Sequence, residues 1–311
     1  MAKYYDSVLD IIGKTQIIKL NRLEKNLGLN AHIYAKLEFL NPGGSVKDRA
    51  AYNMIKEAEK NGELKEGDTI IEGTSGNTGI GLSMVAAAKG YSIKITMPEN
   101  MSVERIKILK AYGAEVYLTP KELNMAGGGA KAKELAAQIP NSYVPAQGMN
   151  PNNPGAHYKT TGPEIWDDLD GNIDIFLAAT GTGGTISGAG RYLREKKNDI
   201  KIIAVEPKGS AILNGGEPGP HKIQGIGGGA TPQTTDTSLF DEVIDVTDED
   251  AYKYARLLPR LEGILIGISA GAALSAAVEV ARRPENKDKN IVIIFPDGGD
   301  HYLSTPGLFE V

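Results

Sequence analysis

The sequence predicts an α/β protein of two domains, each a mostly parallel sheet held between two helical layers. Three observations predict it. Short β-rich runs alternate with longer amphipathic segments along almost the whole chain, the pattern of βαβ units. Two glycine-rich strand-to-helix turns, after Glu72 and after Ala179, indicate two separate sheets. Three prolines, Pro145, Pro151 and Pro154, crowd one stretch and mark a boundary near residues 145–155. The expected division is a smaller N-terminal domain over 41–150 and a larger one over 1–40 and 151–311. Ligand is expected between the two domains, outside the carboxyl ends of their strands.

In chain order, a strand is expected at 33–39 and a helix at 45–61. The helix follows the breakers Pro42, Gly43 and Gly44, and Ser45 with Asp48 reads as a capping box. Ala50, Ala51, Met54, Ile55 and Ala58 then form an apolar stripe at helical spacing. A strand at 69–72 feeds a helix at 77–89, and strands at 93–97 and 115–118 flank a helix at 103–112. The second half carries apolar strands at 173–179, 200–205 and 290–295. Helices at 187–197, 248–261 and 270–282 lie among them. The stretches 124–130 and 208–220 read as loops.

Composition narrows the chemistry. With 311 residues the chain is long enough for two cored domains. A net charge of −5 gives no bulk attraction to nucleic acid. Having no cysteine, the protein has no disulfide, no thiolate metal site and no cysteine nucleophile, in keeping with a reducing cytoplasm. The start, Met1-Ala2-Lys3-Tyr4-Tyr5-Asp6, lacks a signal-peptide core, and no apolar run reaches spanning length. A cytoplasmic protein without membrane contact is therefore expected. His32, His157, His221 and His301 have no metal-ligand spacing, so no metal is expected. The 38 glycines cluster, which points to particular loops that need special backbone geometry.

Lys47 stands in the first turn of the helix expected at 45–61. There the positive end of the helix dipole disfavours a cation by up to ~1 kcal/mol. A neutral amine, the form Schiff-base chemistry requires, is easier to reach in such a place. The first glycine turn, Glu72-Gly73-Thr74-Ser75-Gly76-Asn77-Thr78-Gly79, gathers N–H groups, hydroxyls and an amide at a helix start. Such a turn suits a carboxylate. The second, Thr180-Gly181-Thr182-Gly183-Gly184-Thr185, lets a phosphate approach the backbone. It is not a dinucleotide fingerprint, because the third glycine is displaced to Gly188, although Glu206 stands where a ribose contact would lie. Nor is it a P-loop, which needs Gly-Lys-Ser/Thr. A Schiff-base lysine, a cradle for one phosphate and another for a carboxylate together fit pyridoxal 5′-phosphate with an amino acid.

On these residues the chain resembles the cysteine synthase (O-acetylserine sulfhydrylase) family of fold-type II pyridoxal-phosphate enzymes, relatives of cystathionine β-synthase. The likeness runs from Ile12-Gly13-Lys14-Thr15 to Tyr302-Leu303-Ser304-Thr305. It rests on Asn41-Pro42-Gly43-Gly44-Ser45-Val46-Lys47-Asp48-Arg49, the two glycine turns, Met97-Pro98-Glu99 with Met101-Ser102, Thr160-Thr161-Gly162-Pro163-Glu164-Ile165-Trp166, and Gly267-Ile268-Ser269-Ala270-Gly271. The resemblance implies a tryptophan synthase β-like fold with two three-layer domains and the active site in the cleft between them. It also implies roles. Lys47 would hold the cofactor and then take the substrate Cα proton. Asn77 would bond the cofactor's phenolic oxygen and lie beside the substrate. Gly181, Thr182, Gly183, Gly184 and Thr185 would hold the phosphate. Thr74, Ser75, Thr78 and Gln147 would bind the α-carboxylate. Ser269 would face the pyridine nitrogen, its plainer role being the N-cap of a helix from Ala270. A serine there, in place of a carboxylate, would favour loss of a β leaving group over prolonged carbanion chemistry.

The implied reaction eliminates acetate from O-acetyl-L-serine and adds a thiol at Cβ. Sulfide would give L-cysteine, and the alternatives are homocysteine giving cystathionine or cysteine giving lanthionine with sulfide released. The chain departs from the family at Gly148, where an aromatic usually follows Gln147, and at Ala230 in Gly228-Gly229-Ala230-Thr231-Pro232. Glycine for an aromatic frees up to about 200 Å² of side-chain surface. That change would admit a larger nucleophile unless Met149 or Tyr158 refills the space. An NAD-dependent oxidoreductase and a non-catalytic relative are the competing readings from other classes. The family likeness further implies a homodimer and makes serine acetyltransferase, which docks its C-terminal tail in some relatives, a candidate partner.

Overall fold

The computed structural model describes residues 4–74 and 76–309. Its elements open with β1 (Ile17–Lys19), α1 (Asn21–Leu27), β2 (His32–Leu37), α2 (Lys47–Asn61) and β3 (Thr69–Gly73). Next come α3 (Asn77–Lys89), β4 (Ser92–Pro98), α4 (Val103–Ala111), β5 (Glu115–Thr119), α5 (Asn124–Gln138) and β6 (Ser142–Tyr143). The second half holds α6 (Asn152–Lys159), α7 (Thr161–Asp168), β7 (Ile175–Ala179), α8 (Gly184–Lys196) and β8 (Lys201–Pro207). It ends with β9 (Glu242–Val246), α9 (Asp248–Glu262), α10 (Ile268–Ala281) and β10 (Asn290–Phe295).

Two compact units result: one takes the residues up to Ile12 and Asn41–Asn153, the other Gly13–Leu40 and Pro154–Val311. The smaller sheet runs β5-β4-β3-β6 and is parallel throughout. Successive residues of β3 face opposite layers. Ile70 packs with residues of α2, α3 and α4, and Ile71 with Ala132 and Leu135 of α5. The larger sheet runs β1-β2-β10-β7-β8-β9, parallel except for the antiparallel edge pair β1–β2. Ile175 and Leu177 face α9 and α10, while Phe176 and Ala178 face α7 and α8. Strands covered on both faces are apolar almost end to end, and β7 (Ile-Phe-Leu-Ala-Ala) and β10 (Asn-Ile-Val-Ile-Ile-Phe) show it.

Four expectations need correction. Residues 1–40 were expected in the larger domain as one piece. The segment up to Ile12 instead belongs to the smaller unit, because Leu9 is buried in that unit's core. The 124–130 stretch is not a loop but the first half of α5. A Cβ on Gly73 would stand 2.8 Å from Gly129 Cα, and Thr96 Oγ1 donates to Gly128 O at 2.6 Å. The glycines let this helix lie against the strand backbones, and that packing outweighs their poor helix propensity. The helix expected from Ser45 starts at Lys47, with Val46 as its N-cap. Ser45 Oγ does accept Lys47 N at 3.2 Å, but Asp48 reaches back to Gly43 N at 2.6 Å, so no capping box forms. Ser269 is not an N-cap either, since α10 begins at Ile268 after Gly267.

Lys36 is a second lysine of structural interest. It is fully buried, and its Nζ donates to Thr15 O at 2.7 Å and pairs with Glu164 at 2.9 Å and Asp168 at 3.2 Å. Two carboxylates thus share one buried lysine. Lys36→Met removes the buried cation that Glu164 and Asp168 share and is expected to destabilise the fold by about 3 kcal/mol in urea unfolding.

Candidate active site

In the smaller unit, Lys47 is the first helical residue of α2. The loop before it is held shut from both sides: Asp48 binds Gly43 N, and a Cβ on Gly43 would meet that carboxylate at 2.6 Å. Helix α3 passes close by, for a Cβ on Gly81 would stand 3.2 Å from Lys47 O. Small residues at this crossing fix where the lysine starts.

The candidate carboxylate cradle lies at the start of α3, which Asn77 opens after Gly76. Thr74 is buried, and its N–H donates to Thr96 O at 3.0 Å. Thr78 Oγ1 donates to Gln147 Oε1 at 2.6 Å, joining two residues that lie 69 positions apart. Ser75, the remaining candidate, lies outside the described residues.

Sequence reasoning passed over Glu72 as a ligand. This carboxylate, 3% exposed, accepts Ala146 N at 2.9 Å and Gln147 N at 3.2 Å. Burial raises its pKa to about 7, against those two N–H bonds, which act to lower it. Its ordinary value is 4.5, so the folded state holds an extra proton between that pH and about 7. The stability contribution is therefore full below pH 4.5 and lost as pH rises through about 7. A shift of this size corresponds to roughly 3 kcal/mol. Unfolding free energies measured at low and high pH should fall by about that amount in the wild type, and much less in Glu72→Gln.

In the larger unit the candidate phosphate cradle follows β7. Gly183, with φ +72°, caps α8, whose first-turn N–H groups point out of the helix end with no acidic residue among them. A Cβ on Gly181 would stand 2.5 Å from Gly225 O, and one on Gly183 would overlap the Thr235 hydroxyl. Thr234 Oγ1 and Thr235 Oγ1 both donate to Thr182 O, at 2.5 and 3.2 Å, and pin the loop. Thr185 Oγ1 lies 3.3 Å from His157 Nε2, and the buried ring's Nδ1 is 2.9 Å from Thr161 Oγ1. Neither Thr234, Thr235 nor His157 had a sequence signal. Ser269 is buried in the first turn of α10, and its Oγ is 4.0 Å from where a Gly225 Cβ would be. Glu206 accepts Leu213 N at 2.8 Å and Asn214 N at 2.9 Å, so the carboxylate that could have met a ribose serves its own chain.

These residues fit pyridoxal phosphate. Glycines let the loop fold tightly against Gly225 and Thr235, and Thr182 and Thr185 add hydroxyls beside a helix N-terminus suited to a phosphate. Gly225 leaves open the space in front of the Ser269 hydroxyl, a donor suited to a ring nitrogen. Among the described residues no group of three or more His, Cys, Asp or Glu could hold a metal, and no helix is long and apolar enough to cross a membrane.

Comparison with known proteins gives the family. Residues 8–297 match the family described as pyridoxal-phosphate dependent enzyme. A probable cysteine synthase of Bacillus subtilis is 53% identical over 308 residues, 98% of each chain. The crystal structure of a cysteine synthase from Entamoeba histolytica superposes with a TM-score of 0.96 at 44% identity, covering 99% of this chain and 92% of that one. A hydrogen sulfide-producing enzyme from Fusobacterium nucleatum gives a TM-score of 0.93 at 45% identity, covering 97% and 99%. The chain belongs to the pyridoxal-phosphate-dependent enzymes and, within them, to the cysteine synthase family.

Proposed function

We infer that this protein is a cysteine synthase, exchanging the acetoxy group of O-acetyl-L-serine for sulfide to give L-cysteine and acetate. The end-to-end match to cysteine synthases carries this reading. Bound pyridoxal phosphate supplies an aldehyde for the substrate amine and a ring that draws electrons from Cα. The side chains do the rest. Lys47 Nζ would tether the cofactor and would take the proton from the substrate Cα. The Cβ–O bond then breaks with departure of acetate, a Cβ–S bond forms, and the proton returns to Cα. Thr74, Ser75 and the start of α3 hold the α-carboxylate. The Thr78 hydroxyl proton is given to Gln147 Oε1, which leaves the Gln147 amide N–H groups to face the anion. Thr182, Thr185 and the N–H groups of Gly181, Gly183 and Gly184 would hold the phosphate, and Asn77 and Ser269 would bond the ring. Steady-state rates with sulfide, homocysteine and cysteine as nucleophiles test the reading. Sulfide is expected to be the best of the three, and a sulfide rate hundreds of times below that of homocysteine would overturn it.

Gly148 would leave room for a larger thiol, such as homocysteine, as a second nucleophile. Met149 beside it is 63% exposed, and Ala230 is also exposed. Tyr158 packs edge-on against Tyr192, with ring centres 5.7 Å apart, and its hydroxyl donates to Glu195 at 2.7 Å. Gly148→Phe is expected to lower homocysteine use about tenfold while leaving sulfide use within a few-fold. Competition assays with both thiols check it.

A further inference from the structure

β6 pairs with β3 over only two residues, Ser142 and Tyr143, and the chain then leaves the sheet. From there the N–H groups of Ala146 and Gln147 have no strand to bond. Ala146 also takes φ +51°, a backbone region that disfavours side-chain-bearing residues. Into this gap β3 sends the last of its buried side chains, Glu72, whose two oxygens each accept one of these N–H groups. The Gln147 carbonyl is fixed separately, by Asn153 Nδ2 at 2.9 Å. The Gln147 side chain is therefore aimed by a backbone clamped at both ends. Because Thr78 Oγ1 donates to its Oε1 at 2.6 Å, its amide nitrogen is turned to the other side.

We propose that Glu72 is a positioning residue for substrate binding: its carboxylate holds the strained Ala146–Gln147 turn so that the Gln147 amide is presented to the substrate's α-carboxylate. This rests on the reading that Thr78 and Gln147 form the carboxylate pocket. A charge kept away from water, without an opposite charge to pair with it, is costly to a fold. Its placement beside a binding turn fits a functional role. Only the ionised form offers lone pairs to both N–H groups without a proton of its own to place. The titratable groups that sense one another here are Glu72, Tyr143 and Glu63, and burial holds the Tyr143 hydroxyl above its ordinary range.

The test uses the cofactor-loaded enzyme, with KM for O-acetyl-L-serine and for sulfide measured across neutral pH. In the wild type, KM for O-acetyl-L-serine is expected to rise as pH falls through the Glu72 titration, whereas Glu72→Gln shows a raised and flatter profile. In Glu72→Gln that KM should increase about 10- to 100-fold, with kcat, KM for sulfide and the visible absorbance of the bound cofactor little changed. Gln147→Ala should reproduce the increase. The wild-type pH series requires no variant to fold. If Gln147→Ala weakens O-acetylserine binding while Glu72→Gln leaves KM and its pH profile at wild type, the positioning role is wrong. If Gln147→Ala itself has no effect, the carboxylate pocket has been misplaced instead.

Discussion

Lys47→Ala is expected to lower the rate of β-replacement by about 10⁴-fold or more, because the proposed mechanism gives one nitrogen the work of both tether and base. The start of α2 places no second amine beside it, since the flanking residues are Val46 and Asp48. Lys36, the one fully buried lysine among the described residues, is held by Glu164 and Asp168 and belongs to the other unit. Lys47→Arg is the sharper version of the experiment. Arginine keeps the charge and most of the stem but stays protonated in proteins, so it can neither condense with an aldehyde nor accept a proton. Both variants should keep the fold, as judged by circular dichroism. The phosphate cradle should still bind the cofactor in both, with the visible absorbance of the lysine-bound form gone. Activity within tenfold of wild type in Lys47→Arg would refute the double role.

Gly183→Ala is expected to be nearly as damaging, by a different route. Gly183 has φ +72°, which costs a side-chain-bearing residue about 1–2 kcal/mol. The added methyl would overlap the Thr235 hydroxyl and stand 2.8 Å from Thr235 Cα, which is backbone and cannot swing aside. Overpacking of this kind typically adds 1–3 kcal/mol, so roughly 2–5 kcal/mol is lost in all. Thr234 and Thr235 pin Thr182, so the strain falls directly on the phosphate cradle. Cofactor affinity of the apoenzyme should fall at least about 30-fold, given that every 1.4 kcal/mol is a factor of ten. Thr235→Ala in the same background removes the side-chain overlap and should recover part of the loss, which a merely misfolded variant would not do.

Much of the architecture could be read in advance because parallel strands covered on both faces have to be apolar almost throughout. Residues 290–295 and 77–89 were assigned with the bounds the structure shows. The elements without a signal fail for identifiable reasons. β6 is two residues long, and β1 is three residues at an edge. α5 carries Gly127, Gly128 and Gly129, whose helical state depends on contact with β3 and β4 far away in sequence. The same division holds at the site. Lys47 and both glycine turns are local motifs and stand out. The residues that aim them do not: Glu72 meets Gln147 75 positions on, and His157 meets Thr185 28 positions on. A carboxylate ending the apolar run Thr-Ile-Ile-Glu was the one available clue to Glu72. Asp48 was visible as a capping residue, but its choice of Gly43 N over the Ser45 backbone depends on how the Pro42–Gly44 turn folds back.

Borohydride reduction of the cofactor-loaded enzyme, followed by peptide mapping, tests the central claim most directly, because it makes the cofactor linkage permanent at whichever amine bears it. A single pyridoxyl-phosphate label on the Lys47 peptide is the predicted result. A label on another lysine, or none in protein shown to contain the cofactor, would contradict the assignment of Lys47 and every role built on it.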